Sequence, residues 1–175
     1  LLLVSKQREY FSEDDIRQYE GLSYNLGIAL INQRAQAALR ERVKELTCLY
    51  SIAKVSEQKD LSLNDILKGI LEIIPPAWQY PEITCARIIF DGYEFTTTNY
   101  KSSKWKLTRD IKVYSERVGT LEVCYLEEKS ELDEGPFLRE ERNLIDAIAE
   151  RIAKFIEREW AEDEIRKHRN RNEKR

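Results

Sequence analysis

The chain has 175 residues, enough for one domain of ordinary size with chain to spare. A charged fraction of 35% beside 42% hydrophobic residues, with a net charge of −3, excludes a strongly basic protein that would bind nucleic acid wholesale. No run approaches the roughly 18 apolar residues that a membrane span needs, and Lys6, Arg8 and Glu9 follow Leu1–Val4 too closely for a signal peptide.

In chain order, Leu1–Val4 reads as a strand, and a helix is expected from Ser12 to about Lys54. Ser12 can cap the first turn with Asp15 three residues on, while Glu13, Asp14 and Asp15 complement the positive end of the helix dipole. From Leu39 the apolar spacing alternates four and three through Val43, Leu46, Tyr50 and Ala53, a heptad seam suited to knobs-into-holes pairing with a second copy. The same residues could instead pack against their own domain.

A second helix is expected over Ser62–Ile74, with Ile66, Leu67, Ile70, Leu71 and Ile74 on one face and Pro75-Pro76 as its stop. Four strands follow: Thr84–Phe90, Tyr93–Tyr100 after an Asp91-Gly92 turn, Trp105–Tyr114, and Val118–Leu126 after a turn near Ser115–Arg117. Gly135-Pro136 is expected to open the last helix, with Pro136 in its first turn and Leu138, Ile145, Ile148, Ile152 and Phe155 as its stripe. The basic stretch from Arg166 to Arg175 around His168 has no interleaved aromatic residues and reads as a solvated helix end.

The strand and helix at the end repeat those at the start. With Phe11 set on Phe137, Tyr19 matches Ile145, Leu22 matches Ile148, Leu26 matches Ile152, and Leu30 matches Ile156. A unit used twice points to a tandem array. With no methionine in the chain, the expectation is a piece of a longer protein: one whole domain behind the tail of its predecessor.

Strand parity puts Ala86, Ile88 and Phe90 on one face with Leu121, Val123 and Tyr125, the face expected to take the helices. The other face carries Cys85, Arg87, Glu122 and Cys124, where Arg87 and Glu122 can pair across neighbouring strands. Such a half-polar face suits a small-molecule pocket, and equally an ordinary solvent-facing sheet. Trp78 and Tyr80 could line the mouth of that pocket, or pin the helix-to-strand crossing against the core. The three cysteines, Cys48, Cys85 and Cys124, lack zinc-site spacings and suit a reducing, cytoplasmic compartment. No metal or cofactor is expected.

Helix, helix, antiparallel strands and a last helix leading out is the order of GAF domains. Leu49–Ala53, the Ile74-Pro75 helix end, Ala86-Arg87-Ile88 and Phe137 resemble a GAF-like sensor module of bacterial and archaeal signalling proteins. The stretch Ile74–Glu82 is similar to the variant beside histidine kinases and some phosphoenolpyruvate-synthase-like enzymes. The resemblance implies an α+β fold, an antiparallel sheet of about four or more strands with helices packed on one face and long connector helices. It divides the chain into residues 1–33 (last strand and exit helix of a preceding GAF domain), 34–58 (connector), 59–160 (GAF-like domain) and 161–175 (a basic tail toward a downstream domain).

Departures bear on the ligand. Only about ten residues, Lys101–Asp110, part of them already strand-like, join the second and third strands, leaving little chain for a lid, and the Asn-Lys-X-Phe-Asp-Glu pattern of cyclic-nucleotide GAF domains is absent. No cysteine is placed like a bilin attachment site, and His168 lies outside the sheet, away from any haem pocket.

The function implied is a non-catalytic sensory or relay domain, of a sensor histidine kinase first, working as a homodimer through Leu39, Val43, Leu46, Tyr50, Ile152 and Phe155, with Trp78, Tyr80, Cys85, Arg87, Glu122 and Cys124 facing an unknown small molecule. No nucleic-acid or membrane contact is expected. A regulatory or dimerisation module of a phosphoenolpyruvate-synthase-like enzyme is one alternative. A methionine sulfoxide reductase using Cys85 and Cys124 is another, and a ligand-free spacer a third. His168 is not followed by a phosphoacceptor box, and no Gly-rich phosphate loop is present.

Overall fold

The computed structural model describes residues 11–58 and 60–172; the strand expected at Leu1–Val4 and the basic residues Lys174 and Arg175 lie outside them. The architecture is α+β: a long N-terminal helix, a four-stranded antiparallel sheet, and a long C-terminal helix packed on that sheet. The described residues up to 42 and those from 43 onward fall into two compact units.

In the first unit, helix α1 (Glu13–Ser56) begins with the expected reciprocal cap. Ser12 Oγ accepts from the Asp15 N–H at 3.2 Å, and the Ser12 N–H donates to Asp15 Oδ2 at 3.1 Å. These bonds satisfy donors that the first helical turn otherwise leaves orphaned. Gly21 and Gly27 do not interrupt the helix, because their cost of about 1 kcal/mol each is small beside a long uninterrupted run of good helix formers.

The second unit holds the last turns of α1, then α2 (Leu63–Ile73), strands β1 (Thr84–Phe90), β2 (Tyr93–Thr96), β3 (Lys106–Val113) and β4 (Glu116–Tyr125), and α3 (Arg139–Asn172). Ser62 caps α2 by accepting from the Asp65 N–H. Pro75-Pro76 do more than stop it: they open a 3-10 turn over Pro75–Ala77, and a second such turn at Pro81–Ile83 leads into β1.

The sheet order is β2-β1-β4-β3, all antiparallel. Asp91 and Gly92 take φ of 50° and 78°, the left-handed pair that a two-residue hairpin turn requires. The β3–β4 turn differs from the sequence reading. It is made by Tyr114 and Ser115, at φ 48° and 68°, so β4 already starts at Glu116. Side chains with no special turn chemistry hold that conformation because the flanking ladder fixes it.

Two further boundaries move. β2 ends at Thr96 rather than Tyr100, because the Thr97 hydroxyl takes the Ala86 N–H and the chain turns, with the Tyr100 N–H on the Thr97 carbonyl. α3 starts at Arg139, so Pro136 is outside it; Gly135-Pro136 form a separate turn bridged by Glu134 and Phe137. Gly119 is forced by close approach: a Cβ there would lie 2.4 Å from the Ile89 carbonyl oxygen.

The core lies on the face that parity selected. Ala86, Ile88, Phe90, Leu107, Ile111, Leu121, Val123 and Tyr125 of the sheet share one apolar cluster with Ile66, Leu67, Ile70 and Leu71 of α2. Ile145, Ile148, Ile152 and Ile156 of α3 complete it, each fully buried and worth roughly 1.5–3 kcal/mol.

Candidate functional site

The face of the sheet away from that core carries a polar cluster built by register. Arg87 of β1 stands opposite Glu122 of β4, and two residues along, next on the same face, Cys85 stands opposite Cys124, which in turn faces Lys106 of β3. Arg87 Nη2 lies 3.1 Å from Glu122 Oε1 and Lys106 Nζ 2.9 Å from Oε2. The Tyr100 hydroxyl donates to Oε1 at 2.7 Å, and the Cys124 thiol approaches the same oxygen at 3.6 Å. Arg87 also reaches Glu94 at 3.3 Å and lies over the Tyr100 ring.

Glu122 is only 4% exposed, so its charge depends on these partners. Burial pushes its carboxyl up. The hydrogen bonds from Lys106 and Tyr100 and the Arg87 charge outweigh that and hold it below the usual carboxylate range. Tyr100 moves the other way: burial and the adjacent carboxylate keep its phenol protonated.

The structure thus unites four of the residues singled out in the sequence: Cys85, Arg87, Glu122 and Cys124. It separates the other two. Trp78 is fully buried in the apolar core, and Tyr80 packs edge-on against Tyr125 at 5.5 Å under Lys129. Both pin the helix-to-strand crossing, because an indole and a phenol ring bury more area there than they could at an open pocket mouth. On the polar face Arg87, Lys106 and Tyr100 converge on Glu122.

Tyr100, Lys106 and Glu94 were not legible as partners, since each depends on register or on an irregular segment. A second buried carboxyl, Glu141, was also missed. Its Oε1 accepts from the Gln79 N–H at 2.8 Å and the Tyr125 hydroxyl at 2.6 Å, and its Oε2 from the Leu138 N–H at 2.8 Å. It therefore ties the start of α3 to β4 and to the segment between α2 and β1. The signal was available: Glu141 sits three residues after Leu138, the spacing of a capping box. Leu138 itself cannot cap, and Asp133 supplies the missing acceptor for the Arg139 N–H at 2.9 Å.

The α1 seam is displayed. Leu39, Val43, Leu46 and Tyr50 are between 54% and 68% exposed, so they do not pack on their own domain. Within the second unit Cys48, Ile52 and Val55 of α1 take the inward face, about half a helical turn from the seam. Ile152 and Phe155 do not belong to that seam. Both are buried in the core, since the α3 stripe is needed to cover β3 and β4. α1 and α3 meet where Arg158 Nη2 donates to the Ser56 carbonyl at 2.7 Å, beside a groove of about 200 Å³ lined by Ile52, Ala53 and Phe155.

Among the described residues no group of three or more His, Cys, Asp or Glu side chains could hold a metal ion, and no helix is long and apolar enough to cross a membrane. Fold and site define an α+β module whose sheet carries helices on one face and an ionic cluster around Glu122 on the other. No protein-family model matches this chain, and no curated protein matches it.

Proposed function

We propose that the chain is a GAF-like relay module of a multidomain signal-transduction protein, of the kind joined to sensor histidine kinases, working as a parallel homodimer. The carrying observation is one helix design used twice in two settings. Tyr19, Leu22, Leu26 and Leu30 of α1 are 38% to 58% exposed, whereas Ile145, Ile148, Ile152 and Ile156, their matches in α3, are fully buried under the sheet. The caps match as well, Asp15 bonding back to the Ser12 N–H as Glu141 does to the Leu138 N–H. A stripe of that design left uncovered supports reading residues 1–33 as the end of a preceding domain, whose sheet would cover it.

Signal would pass along α1, through its contact with α3 at Ser56 and Arg158, and out along α3. Packed helices with alternative registers can hold two states, and an input counts only as far as it favours one of them. A polar face whose central carboxylate is already met by Arg87, Lys106 and Tyr100 favours transmission through helices over binding of a sizeable ligand. It equally favours a second reading, a dimerisation spacer, which would show no change in α3 when α1 is perturbed.

Light scattering tests the dimer. The wild-type chain is expected at twice its 20.7 kDa mass, and Val43→Glu with Leu46→Glu at the monomer mass with unchanged circular dichroism. Two buried charges per helix at a and d positions cost the dimer several kcal/mol. A wild-type chain that stays monomeric over a wide concentration range would count against this reading.

A further inference from the structure

We propose that Cys85 and Cys124 form a redox-sensitive dithiol, which a small hydroperoxide closes into a cross-strand disulfide beneath the segment 97–105. The two are register partners on adjacent antiparallel strands, and neither belongs to the apolar core cluster. Register partners place their Cα atoms about 4.5–5.5 Å apart, inside the range that a disulfide spans. Both are free thiols and fully buried. The irregular segment 97–105 lies against them, with the Lys101 carbonyl 3.6 Å from Cys85 Sγ and the Tyr100 hydroxyl on the neighbouring Glu122. Burial under such a cover selects a small oxidant and excludes a bulky disulfide or a side-chain-sized substrate.

The environment separates the roles. A hydrogen bond from the Cys124 thiol, acting against burial, draws the Cys85 thiol down to about 7. That hydrogen bond, burial and the Glu122 carboxylate push the Cys124 thiol up. Cys48 is the contrast within the same chain: burial pushes it up to about 12. Cys124 lies 3.6 Å from the Glu122 carboxylate, which disfavours a second negative charge there, so Cys85 is the attacking thiolate and Cys124 the resolving thiol.

The Cys85 thiolate attacks one peroxide oxygen. The O–O bond breaks, one oxygen leaves as hydroxide and is protonated to water, and Cys85 becomes a sulfenic acid. The Cys124 sulfur then attacks Cys85 Sγ. The S–S bond forms, the S–O bond breaks, and hydroxide leaves as water with the Cys124 proton. Two thiols lose two electrons in all, and hydrogen peroxide is reduced to two waters, or an alkyl hydroperoxide to an alcohol and one water. The disulfide removes the thiol that now approaches Glu122, so the ionic cluster registers the change. The inference stands independently of the relay reading.

The experiment treats the full chain with stoichiometric hydrogen peroxide, then alkylates in denaturant and maps peptides. The expected product is lighter by two hydrogen atoms, with the Cys85 and Cys124 peptides joined, and Cys48 alkylated. Loss of the Cys85 thiol should outpace loss of Cys48 by at least about tenfold. In Cys124→Ser treated with peroxide and then unfolded in denaturant containing dimedone, the trapped sulfenic acid should appear on Cys85. Three alkylated thiols in the treated wild type, a bridge to Cys48 or between chains, or dimedone on Cys48 instead would each overturn the proposal. The wild-type mapping decides the matter even if Cys124→Ser does not fold.

Discussion

Glu141→Ala is expected to lower the unfolding free energy by about 3–5 kcal/mol, read as the shift in the urea midpoint at constant slope. Three donors from three separate places lose their acceptor at once: the Gln79 and Leu138 N–H groups and the Tyr125 hydroxyl. Tyr125 is fully buried and stacked on Phe137 at 4.4 Å, so its hydroxyl cannot turn to water. A net value of about 1–1.5 kcal/mol for each of the three bonds gives most of that loss, and the buried phenol places it at the upper end. Glu141→Gln keeps one acceptor oxygen and should lose about half as much. A loss under about 1 kcal/mol for the alanine variant would mean that water replaces the carboxyl, and that α3 is not tied to β4 through it.

Glu122→Gln is expected to cost about 2 kcal/mol at neutral pH. The amide preserves shape and can still accept from Tyr100, but Arg87 and Lys106 lose the opposite charge. Both cations retain some solvent access, which keeps the loss below that of a fully buried pair. The effect has a pH sign. The folded carboxyl titrates below its ordinary 4.5, so its contribution is complete above that pH and is lost as pH falls through the lower folded value. The stability gap between wild type and Glu122→Gln should therefore narrow on acidification below 4.5 and stay constant above it. Urea unfolding at a series of pH values measures it, and a gap that widens toward acid would contradict the ionic cluster.

Much of the fold was legible because its determinants are local. The Ser12 cap, the α2 stripe, the Asp91-Gly92 turn and the alternation in β1 and β4 each depend on a few adjacent residues, and the structure keeps them all. Arg87 with Glu122 and Cys85 with Cys124 were also within reach, since they required only that two strands be neighbours in one register. The failures were non-local. Tyr114-Ser115 carries no turn chemistry, so the β3–β4 hairpin was set one or two residues late. Pro136 has the residue type of a first helical turn, yet its bridged turn between Glu134 and Phe137 holds it outside α3. Trp78 could not be placed from its own neighbourhood, because core or pocket depends on what the sheet brings against it. The full set of partners around Glu122 was hidden for the same reason: Lys106 and Tyr100 arrive from a third strand and an irregular segment.

The seam on α1 carries the relay account, and disulfide trapping tests it most directly. In a parallel, in-register pair the two copies of residue 50 face each other across the seam, close enough for a disulfide. Mild oxidation of Tyr50→Cys should convert most of the protein to a covalent dimer on a non-reducing gel, while Thr47→Cys, exposed but off the seam, stays single. Absence of the Tyr50→Cys dimer at any protein concentration, or equal trapping at both positions, would contradict pairing through this helix.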